Sequence, residues 1–331
     1  MKLFRFSAPA RPRAVRPLLA LLCAAALARP AAAQSLDGRV VKDGRPVGDV
    51  SVELHRVTGA GGRVVGGART GPSGTFSIPL PVSTDTGFAV VFATATADGV
   101  RYFGRALHPG ETPGSYEIAV FDTTSAAGAA DSVRVVRRDV FLIPQLDGGW
   151  EVAEVLRLRN PGHRTVVPGA GKPIVGLTLP RGASEFEAGN APADSIRPGG
   201  VVQVGERVWV TDPVLPGERE LFFRYVLEAK SRNLPLPLGR ATDTLQVYVR
   251  QPAPEVRIAG LKAEGAMDAE GETFLRFAGT DLPAGGEVTL TARLATSSPV
   301  DPRWAALAVA GVILVAGLAL ALRRGRGPAR A

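Results

Sequence analysis

"ARTGPSGTFSI", Ala68–Ile78, sets two glycines, a proline and a serine between two runs in which apolar and polar residues alternate. A loop written this way can be a phosphate cradle, a serine nucleophile turn or the tip of a β-hairpin. A phosphate loop needs a Gly-Lys-Ser/Thr ending and a helix after it, because the first amides of that helix complete the cradle. Here Thr75, Phe76, Ser77 and Ile78 follow, which is strand alternation. Ser73 lacks the G-x-S-x-G frame and the strand-to-helix setting of a nucleophile elbow. Pro72 presets φ and the flanking glycines permit positive φ, so the stretch predicts a hairpin turn between two strands.

The same period runs outward in both directions. Between Gln34 and Arg303 no segment sustains a helical period, and short alternating runs are separated by Gly, Pro, Asp or Asn, as in β-sandwiches and barrels. In "DVSVELHRV" Val50, Val52 and Leu54 fall on one face, with Ser51, Glu53 and His55 on the other, polar face. Phe76, Ile78 and Leu80 form a second such set. "GFAVVFATATA", from Gly87, is apolar on both faces and reads as a central strand. The expected fold class is all-β, tandem β-sandwiches with one C-terminal transmembrane helix.

The first body segment, 34–122, carries a resemblance. Its G-x-V opening at Gly38 and Val40, G-x-P turn at Gly44 and Pro46, and T-x-x-x-G-x-F element at Thr70, Gly74 and Phe76 resemble, in order and spacing, the carboxypeptidase regulatory-like family. The resemblance implies a transthyretin (prealbumin)-like sandwich of the carbohydrate-binding-like fold. The family is an accessory domain, and its name implies no peptidase activity here.

"TTSAAGAAD", 123–131, is small and weakly patterned and reads as a linker. A second sandwich is expected over 132–252, where Leu156 and Leu158 alternate with Arg157 and Arg159, "NPGH" closes a strand, and Leu221, Phe223, Tyr225 and Leu227 form an inward face. Its N-P-G-x-R-T, L-P-x-G-A and P-x-L-P-G-E-R elements are similar to a recurrent bacterial exported β-domain, which implies architecture and no chemistry. Residues 253–298 supply further inward sets, Val256 with Ile258, Leu275 with Phe277, and Val288 with Leu290 and Leu294, as a completion of that sandwich or a small third domain.

The ends of the chain read differently. Residues 1–33 have a basic start, the apolar core "PLLALLCAAALA" and a small-x-small site at Ala31 and Ala33, so they predict a signal peptide removed before Gln34. Leu22 directly before Cys23 argues against lipidation, and the mature chain then has no cysteine. Trp304–Leu322 is uncharged and just long enough to span a bilayer, and Arg323, Arg324, Arg326 and Arg330 in the tail 323–331 put the C-terminus in the cytoplasm. The formal net charge of +8 belongs largely to these ends. Without the six basic residues of the leader and the four of the tail, 29 basic face 31 acidic residues, which argues against nucleic acid as a partner.

No constellation in the body points to chemistry. The three histidines, His55, His108 and His163, are far apart, with no H-E-x-x-H or C-x-x-C spacing. "MDAEGET", Met267–Thr273, places Gly271 outside the EF-hand frame and reads as a charged hairpin tip. "GAGKP" at Gly169 lacks the serine or threonine of a phosphate loop, and "LPAGG" at Leu282 reads as a hairpin turn. Trp150 and Trp209 are expected in cores. No catalytic, cofactor-binding or metal residue is assigned. The expected function is a non-enzymatic, membrane-anchored envelope protein with a periplasmic or extracellular body, partnered by the membrane and by an envelope protein or glycan. A carbohydrate-binding module is the alternative, and a hydrolase built from dispersed carboxylates a remote one.

Overall fold

The computed structural model describes residues 34–292 apart from 60, 81–88, 109–110, 112–113, 127, 170–172, 190–199, 229–232, 254 and 270. The leader, the span and the tail lie outside the described residues, as do Lys172 of "GAGKP" and Leu294. Among the described residues all regular structure is strand, and no helix is long and apolar enough to cross a membrane.

The N-terminal unit uses β1 (Ser35–Lys42), β2 (Arg45–Pro46), β3 (Ser51–Thr58), β4 (Gly61–Arg69), β5 (Thr75–Pro79), β6 (Ala89–Ala97), β7 (Val100–Phe103) and β8 (Tyr116–Ala119). In one sheet β1 pairs antiparallel with β2 and β5 and parallel with β8; the other has the order β4-β3-β6-β7. The predicted inward sets meet in a shared core, where Val52, Leu54, Phe76 and Ile78 are buried with Tyr102, Tyr116 and Ile118. The run beginning at Gly87 does supply a central strand, β6.

The decisive turn is not a hairpin. β4 pairs with β3 and β5 with β1, so the chain crosses at 70–74 from one sheet to the other. The reason is a set of bonds to both layers. The buried Thr70 hydroxyl accepts from Val50 N and donates to Val47 O, each at 2.9 Å, while Gly74 O accepts from Val40 N at 2.8 Å. Gly74 has φ +72°, and a Cβ there would stand 2.8 Å from Val40 O; at Gly38 a Cβ would meet the Phe76 ring at 2.5 Å. "LPAGG" is likewise a crossing between sheets rather than a hairpin, whereas "MDAEGET" does join two paired strands.

The C-terminal unit follows. β9 (Thr123–Thr124) precedes β10 (Arg134–Pro144), β11 (Trp150–Asn160), β12 (Thr165–Val166), β13 (Val175–Thr178), β14 (Ala183–Gly189), β15 (Val201–Val204), β16 (Arg207–Val210) and β17 (Gly217–Leu227). Then come β18 (Asn233–Pro237), β19 (Thr242–Arg250), β20 (Val256–Ala259), β21 (Lys262–Ala269), β22 (Glu272–Leu282) and β23 (Glu287–Ala292). A seven-stranded sheet, β14-β17-β11-β10-β19-β22-β21, shares one core with two three-stranded sheets, β13-β16-β15 and β18-β23-β20. Val256, Ile258, Phe277, Val288 and Leu290 belong to that core, so 253–292 packs with the strands before it.

The segment read as a linker is docked at both ends. Thr123 and Thr124 form β9, which pairs parallel with β12. Ala129 and Ala130 lie against the C-terminal core, and Arg240 donates to the carbonyls of Ala130, Asp131 and Val133 at 3.1–3.3 Å. Composition marks small residues as loop, but small residues are also the ones that can lie flush on a neighbouring surface. The two units are joined there: the buried Tyr102 hydroxyl donates to Phe121 O at 2.8 Å and lies 3.1 Å from Thr165 Oγ1. Val167 and Leu215 pack on the N-terminal core. The "NPGH" turn braces the C-terminal side of this joint, where Asn160 Nδ2 donates to Arg164 O and Val214 O at 2.8 and 3.0 Å while its Oδ1 accepts from Gly162 N, all within the C-terminal unit.

Inside the C-terminal core lies an ion pair. Arg138 of β10 donates through Nε and Nη2 to the two oxygens of Glu154 of β11 at 2.8 and 2.9 Å. Tyr225 of β17 donates to Glu154 Oε1 at 2.7 Å, and Arg138 Nη1 donates to Pro237 O of β18 at 2.8 Å. Burial opposes the charge on Arg138, but Glu154 more than offsets it, so its pKa rises; burial first, then Glu154, raises that of Tyr225. Removing one member of such a pair strands a buried charge, whereas replacing all members by apolar groups does not. Glu154→Leu alone should therefore cost about 3–5 kcal/mol in urea unfolding, and Arg138→Met with Glu154→Leu and Tyr225→Phe should recover most of that loss.

His55 lies on the face opposite Val52 and Leu54, as its position in the strand predicts, but it is buried rather than solvated. The register of β3 against β4 shifts at Leu54/His55; the imidazole stacks on Phe92 at 5.3 Å and its Nε2 is 2.9 Å from Thr94 Oγ1. Burial lowers its pKa below the ordinary 6.5, opposed by Glu53 and aided by Arg101. The folded chain thus holds His55 neutral where the unfolded chain takes up a proton, so its contribution is full above pH 6.5 and is lost as pH falls below it. The unfolding midpoint should fall between pH 7 and pH 5, and His55→Gln should flatten that slope.

Candidate functional site

At the end of the seven-stranded sheet where β10 turns into β11, the structure opens a cleft of about 390 Å³. Three separate pieces of chain line it. The β10–β11 turn contributes Gln145, Leu146 and Asp147; β11 contributes Glu151; β14 contributes Glu185 and Glu187; and β17 contributes Arg224. The turn holds its shape by Gln145 N donating to Gly149 O and by Asp147 Oδ1 accepting from Gly149 N, at 2.8 and 2.9 Å. A bulge between Ser184 and Glu187, with Glu185 at φ +52°, re-aims the β14 side chains.

Arg224 is the centre of the cleft. Its Nε and Nη2 donate to Glu187 Oε2 at 2.9 and 2.7 Å, and its Nη1 to the nearly buried Glu151 at 3.2 Å. The bond from Glu187 raises the Arg224 pKa, with burial acting against it and Glu151 with it. Four carboxylates and one guanidinium line the cleft, so it carries negative potential and favours cations at its mouth. Glu151 and Glu187 are both acceptors of the same arginine, which is an arrangement for holding β14 onto β17 rather than for passing a proton. Among the described residues no group of three or more His, Cys, Asp or Glu side chains is placed to hold a metal ion.

The outward face of the same sheet is a ladder of opposite charges. Arg157 meets Glu220 at 2.6 Å, Arg159 meets Glu218, Arg137 meets Asp139 at 2.6 Å, and Arg250 meets Glu272 at 2.8 Å. Asp139 is the least satisfied rung: burial raises its pKa despite Arg137, and its Oδ1 has no hydrogen-bond partner among the described residues.

The residues weighed for chemistry in the sequence do not gather at the cleft. His55 is packed in the N-terminal unit, the exposed His108 has its backbone amide donating to Glu111 Oε2 at 3.3 Å, and His163 is exposed in the turn after Asn160. Trp150 is in the core as expected, while Trp209 is only half-buried, beneath the Arg207 guanidinium at 5.5 Å. The cleft itself was missed because its carboxylates come from strands far apart in sequence. The nearest signal was the pair of glutamates in "ASEFEAG", which strand alternation explains equally well.

No protein-family model matches the chain, and no curated protein does. Among solved structures, a two-domain M1 zinc metallopeptidase mutant bound to L-arginine is similar at 14% identity and a TM-score of 0.32, over 52% of this chain and 47% of that one. The M1 zinc metallopeptidase from Deinococcus radiodurans is similar at 13% identity and a TM-score of 0.31, over 53% and 48%. The chain spans about half the length of these structures, and likeness at this level carries no argument about activity.

The clamp predicts a local effect. In Arg224→Gln the amides of Ala183–Gly189 should exchange with deuterium about tenfold faster, the equivalent of roughly 1.4 kcal/mol, while β19 and β22 remain protected.

Proposed function

We propose that the chain is a non-enzymatic, membrane-anchored envelope protein whose tandem β-sandwiches, the first of transthyretin-like type, form a rigid scaffold that presents binding surface outside the membrane. The observation that carries the reading is the joint between the two units, where Tyr102 meets Thr165, Val167 and Leu215 pack on the N-terminal core, and β9 of the docked segment pairs with β12. A chain that spends its buried polar groups on fixing one unit against another is built to hold a shape. The interlock of Gly38 with Phe76 and of Gly74 with Val40 supports the transthyretin-like reading of the first sandwich.

The ionic ladder supports a solvated, self-neutralised surface rather than a site for an anionic polymer. Among the described residues the large hydrophobic side chains that stand exposed are Val64, Leu146, Val202 and Val204, all aliphatic. A platform for stacking sugars would instead expose aromatic rings, so the scaffold reading is preferred to the carbohydrate-binding one.

Membrane attachment rests on the uncharged Trp304–Leu322 run and the arginines after it. An epitope placed after Ala331 should fractionate with membranes at full length. Protease added outside intact cells or spheroplasts should then remove the body and leave a short tagged fragment. A cell-surface form lacking the epitope would overturn the anchor.

A further inference from the structure

We infer that β15 is a self-association edge: two copies of this chain join by pairing their β15 strands antiparallel about a two-fold axis at Gln203. The pairing is independent of membrane attachment, since it involves the β15–β16 rim of the C-terminal unit alone.

A strand at the rim of a sheet presents unpaired N–H and C=O groups, and folds blunt it with a bulge, a proline, a charge or a covering segment. Five of the six rims in the three main sheets of the C-terminal unit are blunted in this way. β14 and β21 are bulged at Ser184/Glu187 and Ala263/Gly265, β18 contains Pro235 and Pro237, and β20 carries Arg257. β13 is covered, since a Cβ on Gly239 would stand 3.1 Å from Thr178 N and 3.4 Å from Leu177 Cα. β15 reads VVQV, with no charge, proline, glycine or bulge, and among the described residues no strand pairs with its outer side. Its side chains leave the rim open as well: Val202 and Val204 stand 48% and 62% exposed. Both long side chains beside them on β16 turn away. The Trp209 ring lies across Gly176 of β13, where a Cβ would meet it at 2.4 Å, and the Arg207 guanidinium lies over that ring at 5.5 Å.

The backbone sets the register of the partner. Thr211 N donates to Gly200 O at 2.8 Å, which makes Gly200–Thr211 a hydrogen-bonded pair. Alternation along the antiparallel ladder makes Val202–Trp209 and Val204–Arg207 the next two, so the N–H and C=O of Val201 and Gln203 point outward from the rim. A second copy related by a two-fold axis at Gln203 answers that pattern. Gln203 exchanges both backbone bonds with its own counterpart, Val202 of each copy faces Val204 of the other, and the three-stranded sheet becomes six-stranded. Both exposed valines are then covered by cross-strand apolar pairs. An axis at Val202 would satisfy the same backbone groups but set Val204 opposite Gly200, so burial selects Gln203. A contact of this length falls short of a standard interface, so the pair is reversible and depends on concentration.

Sedimentation velocity of the full-length chain in neutral detergent should show a monomer–dimer equilibrium. Val202→Lys combined with Val204→Lys sets like charges opposite each other in both cross-strand pairs, and should weaken dimerisation by about tenfold or more with unchanged circular dichroism. Val204→Lys mixed with Val202→Glu should form a mixed dimer, because the axis at Gln203 sets those positions opposite; Val204→Lys mixed with Val204→Glu should not. A wild-type chain that stays monomeric, a doubly substituted chain that dimerises as well as wild type, or failure of the first mixture to pair would overturn the β15 pairing. Equal pairing in the two mixtures would overturn the axis at Gln203.

Discussion

The C-terminal unit is organised around a charge pair that hydrophobic burial alone would reject. Arg138 and Glu154 sit in a core of leucine, valine and phenylalanine, with the Tyr225 hydroxyl and the Pro237 carbonyl completing their hydrogen bonds. Taking both charges out of water costs several kcal/mol per ion, so the pair is a weak source of stability. Its consequence is registration. Slipping β10, β11 or β17 by one residue would turn its charged or phenolic group to the other face, leaving its partners buried and unsatisfied. The bond to Pro237 extends that constraint to β18 and hence to the opposing layer.

The joint between the units follows from the same economy of buried polar groups. β11 is fixed in register by Glu154, and its last residue, Asn160, is therefore placed where its amide can reach Val214 and its own turn. β12 begins a few residues later and pairs with β9. A motif that looks in sequence like turn punctuation is in the fold a brace across two elements. The seven-stranded sheet then transmits one fixed geometry from the joint to the cleft, with charge pairs covering the face that has no second layer over it.

In the N-terminal unit the legible and illegible parts are equally specific. Alternation placed Val52, Leu54, Phe76 and Ile78 inward, because a strand with one apolar face has a single way to bury it. It also placed His55 on the opposite face and left its environment open, because period 2 reports direction and says nothing of what packs there. Phe92 and Thr94 come from a strand some forty residues away.

The amino-acid sequence by itself determined the strand class, the inward faces and the positions of the turns, since these depend on side-chain period and on the φ freedom of glycine and proline at each site. Whether a turn joins two strands of one sheet or carries the chain between sheets was decided by tertiary structure, as at Thr70–Gly74, where bonds to Val40, Val47 and Val50 choose the crossing. The cleft belongs to the same category. Glu151, Glu187 and Arg224 acquire a common environment only when β14 and β11 flank β17, and no local pattern encodes that adjacency. Strand direction is a property of neighbours along the chain, whereas pairing and site formation are properties of neighbours in space, and those are fixed by burial, hydrogen-bond satisfaction and charge acting over the whole fold.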